Sequence, residues 1–232
     1  MSRVVSLVPS VTESLLRWGV APVAVTRFCE APGIPTVGGT KNPDVAAIVA
    51  LQPDVVIMDK EENRAVDADS LTSAGVQVTV TAVRSIDDVP AALAVIAGAA
   101  GLTAVPEPPP RAPVPLPGRR LSVFVPIWRR PWMTVGGSTY GSTLLSAAAL
   151  DNIFASSADP YPTIDLAEAC ARRPDVVLAP SEPYEFKEKH RAELEEVAPV
   201  VFVEGRDLFW WGTRSPAALD RLREMAGGLA GE

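Results

Sequence analysis

The sequence contains few side chains that could carry out acid–base, nucleophilic or metal chemistry. His190 is the only histidine, and the charged pattern FKEKHR around it predicts a solvated helix surface rather than a base or a ligand. Cys29 and Cys170 lack zinc-ligand spacing, and we expect both to be thiols. No nucleophile elbow, Ser-Xaa-Xaa-Lys motif or phosphate loop is present. We therefore predict no catalytic residue, no metal site and no cofactor, and we expect that the chain is not an enzyme.

Aromatic side chains are concentrated in two segments of the second half of the chain. Four of the five tryptophans lie in IWRRPW, at 127–132, and in DLFWWG, at 207–212. We expect both segments to be surface loops beyond the carboxyl ends of strands, where little core is available to bury an indole. The indoles either line a ligand cleft, which we favour, or pack against each other as a satellite cluster. Trp18, on the first predicted helix, is expected in the core.

The first half of the chain has loops at corresponding places, with small, polar and aromatic residues. They are PSVT at 9–12, RFCE at 27–30, GGTKN at 38–42 and KEEN at 60–63. The glycine pair in GGTKN could hold an anion through backbone N–H groups, but the segment lacks the ending of a phosphate loop. Cys29 could reach a bound metal centre, although a small loop residue without a role is the simpler interpretation.

An internal repeat indicates which elements position these loops. The segment DVAAIVALQPDVVI, at 44–57, recurs as DLAEACARRPDVVL at 165–178, and RVVSLVP at 3–9 recurs as RLSVFVP at 120–126. Each copy of the longer segment predicts a short helix that ends before Pro53 or Pro174 and leads into a β-branched, apolar strand. Strands that are apolar at nearly every position are typical of parallel sheets covered on both faces.

The same patterns predict the individual elements of each half. In the first half we expect strands near 3–8, 22–26, 54–58 and 76–81 and helices near 11–18, 43–51 and 63–74. In the second half we expect strands near 120–125, 152–154, 175–179 and 200–203 and helices near 139–149, 164–172, 185–197 and 216–229.

The predicted fold class is α/β, with two similar lobes that each contain a small, mostly parallel sheet flanked by helices and that enclose a ligand cleft. We place the N-terminal lobe at 1–84 and the C-terminal lobe at 119–232. Residues 85–118 connect them as an Ala-rich helix over 85–102 and a Pro-rich, extended linker over 104–118.

Composition and charge exclude several classes of partner. With 28 acidic and 21 basic residues, the formal net charge is -7, and no basic stripe is present, so we expect no binding to nucleic acid. No apolar run is long enough to predict insertion into a membrane. The N-terminal MSR leads directly into the first predicted strand without a secretory signal, which predicts a cytoplasmic location. If the sequence was trimmed, a periplasmic or extracellular location is expected instead.

Several long segments together resemble a known family over nearly the whole chain. RVVSLVPSVTESLLRWGV, TRFCEAPG, TVGGTKNPDVAAIVALQPDVVIMDKEENR and PIWRRPWMTVGGSTYGSTLL are similar to the helical-backbone metal receptors, also called the class III periplasmic-binding-protein-like family. The chain is most similar to the cobalamin-binding members. Members bind corrinoids, ferric siderophores, haem or metal ions between two lobes and deliver them to an ABC importer. Their lobes are joined by a long rigid helix, where this chain has the Pro-rich stretch.

The resemblance implies a set of ligand-binding residues. In cobalamin binders the loop after the first strand and an aromatic residue after the second face the corrin, which corresponds to Pro9 and Phe28. Aromatic and polar loops of the second lobe close over the ligand. The full set of candidate ligand-binding residues is Pro9, Ser10, Phe28, Cys29, Gly39, Thr40, Trp128, Arg129, Trp132, Tyr184, Trp210 and Trp211.

The resemblance also implies a docking site for a transporter permease. In importer-coupled relatives an exposed acidic residue on each lobe pairs with transporter arginines, and Glu61, Glu62, Glu182 and Glu185 follow the repeated strands. Solvated surface carboxylates are the alternative.

Two functional hypotheses remain. The first is a solute-binding protein for a cobalamin-like corrinoid or another metal chelate, such as a siderophore or haem, that serves an ABC importer. The second is a cytoplasmic descendant of the fold that acts in protein interaction, in ligand sensing or as an enzyme-like accessory, without transport.

Overall fold

The computed structural model describes residues 2–106 and 112–231, and the chain forms two compact units. The first unit contains residues 1–83, 87–110 and 211–213. The second contains 84–86, 111–210 and 214–232.

The first unit is built on a four-stranded parallel sheet with the order β2-β1-β5-β6. Apolar residues make up most of β1 and β5, and all residues of both strands are buried, as expected for strands covered on both faces. Its strands are β1 Val4–Ser6, β2 Ala24–Val25, β3 Gly38–Gly39, β4 Asn42–Pro43, β5 Val55–Asp59 and β6 Val78–Thr81, and its helices are α1 Pro9–Arg17, α2 Val45–Ala50, α3 Ala65–Ser73 and α4 Val89–Ala99.

The second unit repeats this plan with the order β10-β7-β12-β13, again parallel. An antiparallel sheet of order β11-β9-β8 is added to it. Its strands are β7 Leu121–Phe124, β8 Pro126–Trp128, β9 Trp132–Thr134, β10 Leu150–Asn152, β11 Thr163–Ile164, β12 Val176–Pro180 and β13 Val200–Val203, and its helices are α5 Tyr140–Ala147, α6 Leu166–Ala171, α7 Arg191–Leu194, α8 Gly205–Phe209 and α9 Ser215–Ala230.

Asp54 and Asp175, which correspond in the longer repeat, make similar contacts, and the two sheets have the same strand order, which confirms the predicted relation between the two halves. Asp54 accepts a hydrogen bond from the backbone N–H of Arg3 at 2.6 Å, and Asp175 accepts one from the backbone N–H of Ser122 at 2.7 Å. The donor in the second unit is Ser122 and not Arg120, the residue that the shorter repeat pairs with Arg3. In both units, therefore, the carboxylate that precedes the third strand of the sheet fixes the start of the first strand.

Most predicted helices and strands are present, but several boundaries and assignments are wrong. The strand predicted at 152–154 lies at Leu150–Asn152. The helix predicted over 185–197 is a 3-10 turn, Glu188–His190, followed by the single turn of α7. Trp18 ends α1 half-buried rather than in the core.

Three segments predicted as loops contain regular structure. GGTKN forms the hairpin of β3 and β4, and IWRRPW contributes to the β8–β9 hairpin, with its turn at 129–131. DLFWWG begins within α8, whose first N–H groups are capped by Glu204. These short elements depend on pairing with distant parts of the chain, which local sequence patterns do not reveal.

The predicted connecting segment is only partly described. The helix predicted over 85–102 is α4, preceded by a 3-10 turn at Ile86–Asp88. Of the extended linker predicted over 104–118, residues 107–111 lie outside the described part of the chain, and 112–117 have no regular secondary structure. Within 2–106 and 112–231, no helix combines the length and apolar character needed to cross a membrane.

Candidate functional site

Three loops of the first unit meet at the carboxyl end of its sheet, where Asn63 joins them. Its side-chain amide donates to the carbonyl oxygens of Leu7 at 3.2 Å and of Thr40 at 2.9 Å, and its Oδ1 accepts from the N–H of Asp59 at 2.8 Å. Asn63 is itself buried. The loop after β1, the β3–β4 hairpin and the loop after β5 are therefore held in one arrangement, which supports the predicted loop cluster of this unit.

Asp59, at the end of β5, is a buried carboxylate beside Asn63. Burial raises its pKa above the usual range, while hydrogen bonds from the Thr81 hydroxyl at 2.7 Å and from the N–H of Glu61 at 2.9 Å act in the opposite direction. Its carboxylate oxygens point to internal donors, so Asp59 organises the loop rather than facing a ligand.

Phe28 is the most exposed aromatic side chain at this end of the first unit, with 53% of its surface accessible. The guanidinium of Arg27 lies 4.9 Å from the Phe28 ring centroid, at cation–π distance. Gly39 lies beneath them, because a Cβ there would be only 3.2 Å from both the Arg27 and the Phe28 side chains. A glycine at 39 thus leaves room for Phe28 to lie across the hairpin with its ring open to solvent.

Cys29 is half-buried next to Phe28 and links its loop to α1 through its sulfur. The Thr12 hydroxyl donates to Cys29 Sγ at 3.2 Å, and the Thr26 hydroxyl lies 3.3 Å away. The cysteine is a free thiol, as predicted, and so is Cys170. Its polar contacts are within the protein, in agreement with the simpler interpretation of its role.

The predicted residues of α1 lie next to a segment from late in the sequence. Pro9 occupies the first turn of α1 and Ser10 is buried there. Ser14 Oγ accepts from the N–H of Thr213 at 3.2 Å, and a Cβ on Gly212 would lie 2.5 Å from the same oxygen. Trp211 is 6% exposed. A buried Trp211 fits a packing role better than the ligand-wall role predicted for it.

In the second unit, the predicted aromatic residues form a cluster centred on Tyr184. Trp128 meets the Tyr184 ring edge-on, with centroids 5.6 Å apart, and Tyr184 lies 4.8 Å from Phe186. Phe186 in turn stacks with Trp132 at 6.0 Å. Trp128 remains 45% exposed and Trp132 is half-buried, so Trp128 is the more exposed indole of the cluster. The two tryptophans thus pack against Tyr184 and Phe186, an arrangement close to the satellite cluster, and the ligand-cleft alternative stays a prediction.

Arg129 joins this aromatic cluster to α7. Its Nε donates to Glu193 at 2.8 Å, and its guanidinium lies 6.0 Å from the Trp132 ring centroid. The hydrogen bond to Glu193 is the main cause of its raised pKa. Arg129 therefore stays charged beside the Trp132 ring.

His190 belongs to the same cluster, and the prediction that it is solvated is wrong. Its residue is 5% exposed, and its ring packs against Tyr184 at 5.6 Å and Phe186 at 5.7 Å. Neighbouring lysines suggested a charged surface helix, but the chain turns inward at Phe186 and His190. In the sequence, the burial of His190 was indicated only by the placing of Phe186 and His190 among charged residues.

Trp210 is half-buried and contacts an acidic residue that was predicted to dock a transporter. Its indole N–H bonds to the Glu182 carboxylate, whose pKa is nevertheless raised because burial outweighs this bond. Arg206 and Arg214 each lie within 6 Å of the Trp210 ring. Glu182 is therefore part of a local network rather than a free surface carboxylate.

The other predicted docking residues are more accessible. Glu61 and Glu62 are exposed after β5 in the first unit, and Glu185 is exposed in the second unit, where it pairs with Lys187 at 2.7 Å. Lys41 donates to the backbone carbonyl of Glu61, which ties that loop to the β3–β4 hairpin.

The structure thus brings together, at the carboxyl end of the first sheet, Pro9, Ser10, Cys29, Gly39 and Thr40. In the second unit it brings together, in one cluster, Trp128, Arg129, Trp132 and Tyr184. The predicted set of ligand-binding residues omits those that organise these groups, which are Arg27, Asn63, Phe186 and His190, although the predicted loops RFCE and KEEN contain the first two. Across 2–106 and 112–231, no group of three or more His, Cys, Asp and Glu side chains could hold a metal ion.

Comparisons with known proteins agree with the predicted resemblance. A family model described as "Periplasmic binding protein" matches residues 4–104. The vitamin B12-binding protein of Salmonella paratyphi A is 28% identical over 192 residues, which cover 76% of this chain and 71% of the relative.

Solved structures extend the similarity of fold to the whole chain. The periplasmic vitamin B12 binding protein of Vibrio cholerae superposes with a TM-score of 0.77 at 18% identity, covering 100% of this chain and 98% of that one. A periplasmic heme binding protein from Pseudomonas aeruginosa also gives 0.77 at 18% identity, covering 98% and 93%. The sequence of residues 4–104 therefore resembles the periplasmic binding proteins, and the fold of this chain resembles that of the two solved binding proteins.

Proposed function

We propose that the protein is a solute-binding protein for a cobalamin-like corrinoid or a related metal chelate such as haem, and that it supplies this ligand to an ABC importer. Relatives named as vitamin B12-binding and heme-binding proteins support this class of ligand. Corrins and porphyrins are large, flat molecules with apolar faces, which bind well to aromatic side chains.

The observation that carries the proposal is the pair of exposed aromatic rings, Phe28 and Trp128, at the carboxyl ends of the two parallel sheets. Large aromatic side chains normally bury most of their surface, yet these two are 53% and 45% exposed. Each is held by a neighbour, Phe28 by Arg27 and Trp128 by Tyr184. Rings that are both exposed and fixed lose little conformational entropy when a ligand covers them.

Polar groups next to the two rings match the periphery of such ligands. Arg27 beside Phe28 and Arg129 beside Trp132 place cations near the aromatic surfaces, where they can pair with carboxylates or amide oxygens of a chelate. This combination of flat apolar contact and peripheral charge favours a substituted tetrapyrrole over a small sugar or amino acid.

The relatives are periplasmic by name, which supports a place of action on the outer side of the cytoplasmic membrane. We propose that Glu61 or Glu62 in the first unit and Glu185 in the second contact the permease, because these carboxylates are exposed. Glu182 is the weaker candidate, since it is only half-exposed and its carboxylate accepts a hydrogen bond from the Trp210 indole.

The test is a titration of the purified protein with cyanocobalamin, haemin and a ferric siderophore, followed by the absorption of each chelate and by tryptophan fluorescence. We expect saturable binding of one of them. Phe28→Ala and Trp128→Ala should each weaken it about tenfold or more, as expected for exposed aromatic anchors. Val66→Ala, which changes an equally exposed apolar residue on α3, should leave the affinity unchanged. Absence of saturable binding by all three chelates would contradict the proposal.

The permease contact can be tested separately from ligand binding. Ligand-loaded protein should capture an importer from detergent-solubilised membranes of the host, and the triple charge reversal Glu61→Lys, Glu62→Lys, Glu185→Lys should abolish capture without changing ligand affinity. Equal capture by this variant would exclude the three carboxylates from the contact.

A further inference from the structure

His190 is buried in the 3-10 turn Glu188–His190 and has both ring nitrogens engaged. Its Nδ1 accepts a hydrogen bond from the backbone N–H of Lys187 at 3.0 Å. A nitrogen that accepts a hydrogen bond carries no proton, so the neutral ring has its hydrogen on Nε2. Nε2 faces the Tyr184 hydroxyl at 3.4 Å.

The ring of His190 also packs against the aromatic cluster. It packs against Tyr184 and Phe186, and Tyr184 meets the exposed Trp128 edge-on at an interplanar angle of 74°. Tyr184 is therefore held between a buried imidazole and the indole that faces solvent. A displacement of His190 must change the position of Tyr184, and with it the packing of Trp128.

We infer that His190 is a positioning residue for Trp128: the neutral imidazole fixes Tyr184 and the 187–190 turn, and protonation of His190 releases them and reorients the Trp128 indole. That Trp128 then loses contact with a ligand rests on the proposed function. The coupling of His190 to Trp128 does not depend on that function, because it concerns the protein without ligand.

Protonation of His190 disrupts the turn because a hydrogen-bond donor, the Lys187 N–H, faces the ring. A protonated Nδ1 becomes a donor and opposes the Lys187 N–H, which is also a donor, so the bond that closes the turn is lost. The charged and titratable groups that face His190 are Lys187 and Lys189 on its own turn, Glu193 on α7, Arg129 on the β8–β9 hairpin and Tyr184 in the loop after β12.

These surroundings disfavour the imidazolium. Burial lowers the pKa of His190 most, Lys189, Arg129 and Lys187 lower it further, and Glu193 raises it, with a net fall below the ordinary 6.5. The ring is therefore neutral at pH 7.5. The cluster remains in the described arrangement at that pH and is disrupted only in mildly acidic solution.

The experiment uses the full chain labelled with 5-fluorotryptophan, without ligand, and follows ¹⁹F resonances from pH 7.5 to pH 5. The Trp128 resonance is assigned from its disappearance in Trp128→Phe. We expect it to shift with a midpoint below pH 6.5, while the Trp18 resonance stays constant. The matched variant is His190→Asn, whose amide oxygen can still accept from the Lys187 N–H but does not titrate, so its Trp128 resonance should not respond to pH.

A second readout connects the coupling to binding. The affinity for the chelate that binds at pH 7.5 should fall about three- to tenfold at pH 5.5 in the native protein and stay constant in His190→Asn. A Trp128 resonance that is insensitive to pH, or that shifts equally in His190→Asn, would overturn the inference even if a chelate binds. A His190-dependent shift without binding of any chelate would uphold the inference while the proposed function fails.

Discussion

The side-chain amide of Asn63 donates a 2.9 Å hydrogen bond to the carbonyl oxygen of Thr40, across 23 residues of sequence. The same amide group reaches Leu7, so one buried side chain sets the distance between the β3–β4 hairpin and the loop after β1. The β1–α1 loop and the β3–β4 hairpin therefore depend on a residue that is itself buried.

Replacement of Asn63 by alanine should destabilise the first unit. The carbonyl oxygens of Leu7 and Thr40 and the N–H of Asp59 would lose their partner in a buried position, at a cost of about 1–3 kcal/mol. Urea unfolding followed by circular dichroism measures this loss. Gln77→Ala, on an exposed residue, is the control and should change the free energy of unfolding by less than about 0.5 kcal/mol. Equal stability of Asn63→Ala and the native protein would mean that solvent replaces these bonds without cost.

The sequence predicted those parts of the fold that local patterns determine. The repeated unit of helix, proline and β-branched strand could be predicted, because helix capping and strand preference depend on a few neighbouring residues. Asp44 and Asp165 cap α2 and α6, and β5 and β12 are buried throughout.

Elements that depend on distant partners were not predictable in the same way. The β8–β9 hairpin appeared to be a loop because Arg130 and Pro131 suggest one, and its strands are only three residues long. The environment of His190 was misjudged because the lysines on either side point outward while the ring turns towards Tyr184 and Phe186. For the site, the sequence identified the exposed Phe28 and Trp128 but not the buried Asn63, Phe186 and His190 that support the loops around them.

The adjacent glycines 38 and 39 should respond differently to alanine. Gly38 has a φ of +89°, and a Cβ there would lie 2.6 Å from the backbone oxygen of Asn42, so Gly38→Ala should cost more than about 1 kcal/mol of stability. At Gly39 the closest atom, at 2.5 Å, belongs to the Asn42 side chain, which can rotate away. Gly39→Ala should therefore fold normally and instead displace Phe28.

Thermal unfolding and ligand titration together distinguish the two glycine variants. Gly38→Ala should have a lower melting temperature, whereas Gly39→Ala should keep the native melting temperature and bind the chelate several-fold more weakly. A loss of stability in Gly39→Ala as large as that in Gly38→Ala would show that the hairpin, and not the Phe28 side chain, requires the second glycine.

Glu204 should contribute to stability at neutral pH and lose that contribution in acid. The hydrogen bond from Arg206 is the main cause that lowers the pKa of Glu204 to about 2, and the Ser181 hydroxyl adds to it. A carboxyl whose pKa is lower in the folded protein stabilises the fold above the ordinary pKa of about 4.5, and this stabilisation disappears as the pH falls towards 2. Because Glu204 also caps α8, Glu204→Gln should cost about 0.5–1 kcal/mol at pH 7.

The measurement is the difference in urea unfolding free energy between native protein and Glu204→Gln at pH 7, 5 and 3.5. The difference should shrink as the pH falls. Glu196→Gln, on an exposed side chain whose residue contributes only a backbone contact, should show little difference at any pH. A difference for Glu204→Gln that is constant with pH would assign the effect to the shape of the cap and not to its charge.

Trp128 and Phe186 lie in one aromatic cluster but should have separable roles. Phe186 is 4% exposed and contacts Tyr184, Trp132 and His190, so Phe186→Ala should cost about 3–5 kcal/mol of stability in the second unit. Trp128→Ala removes a ring that is nearly half exposed and that meets the Tyr184 ring at 5.6 Å, so it should cost about 1 kcal/mol or less. Because Trp128 is the indole that solvent reaches, its removal should affect ligand binding far more than folding. Chemical unfolding and chelate titration on the same preparations measure both effects, and a Trp128→Ala variant that unfolds as readily as Phe186→Ala would show that the exposed indole serves the core.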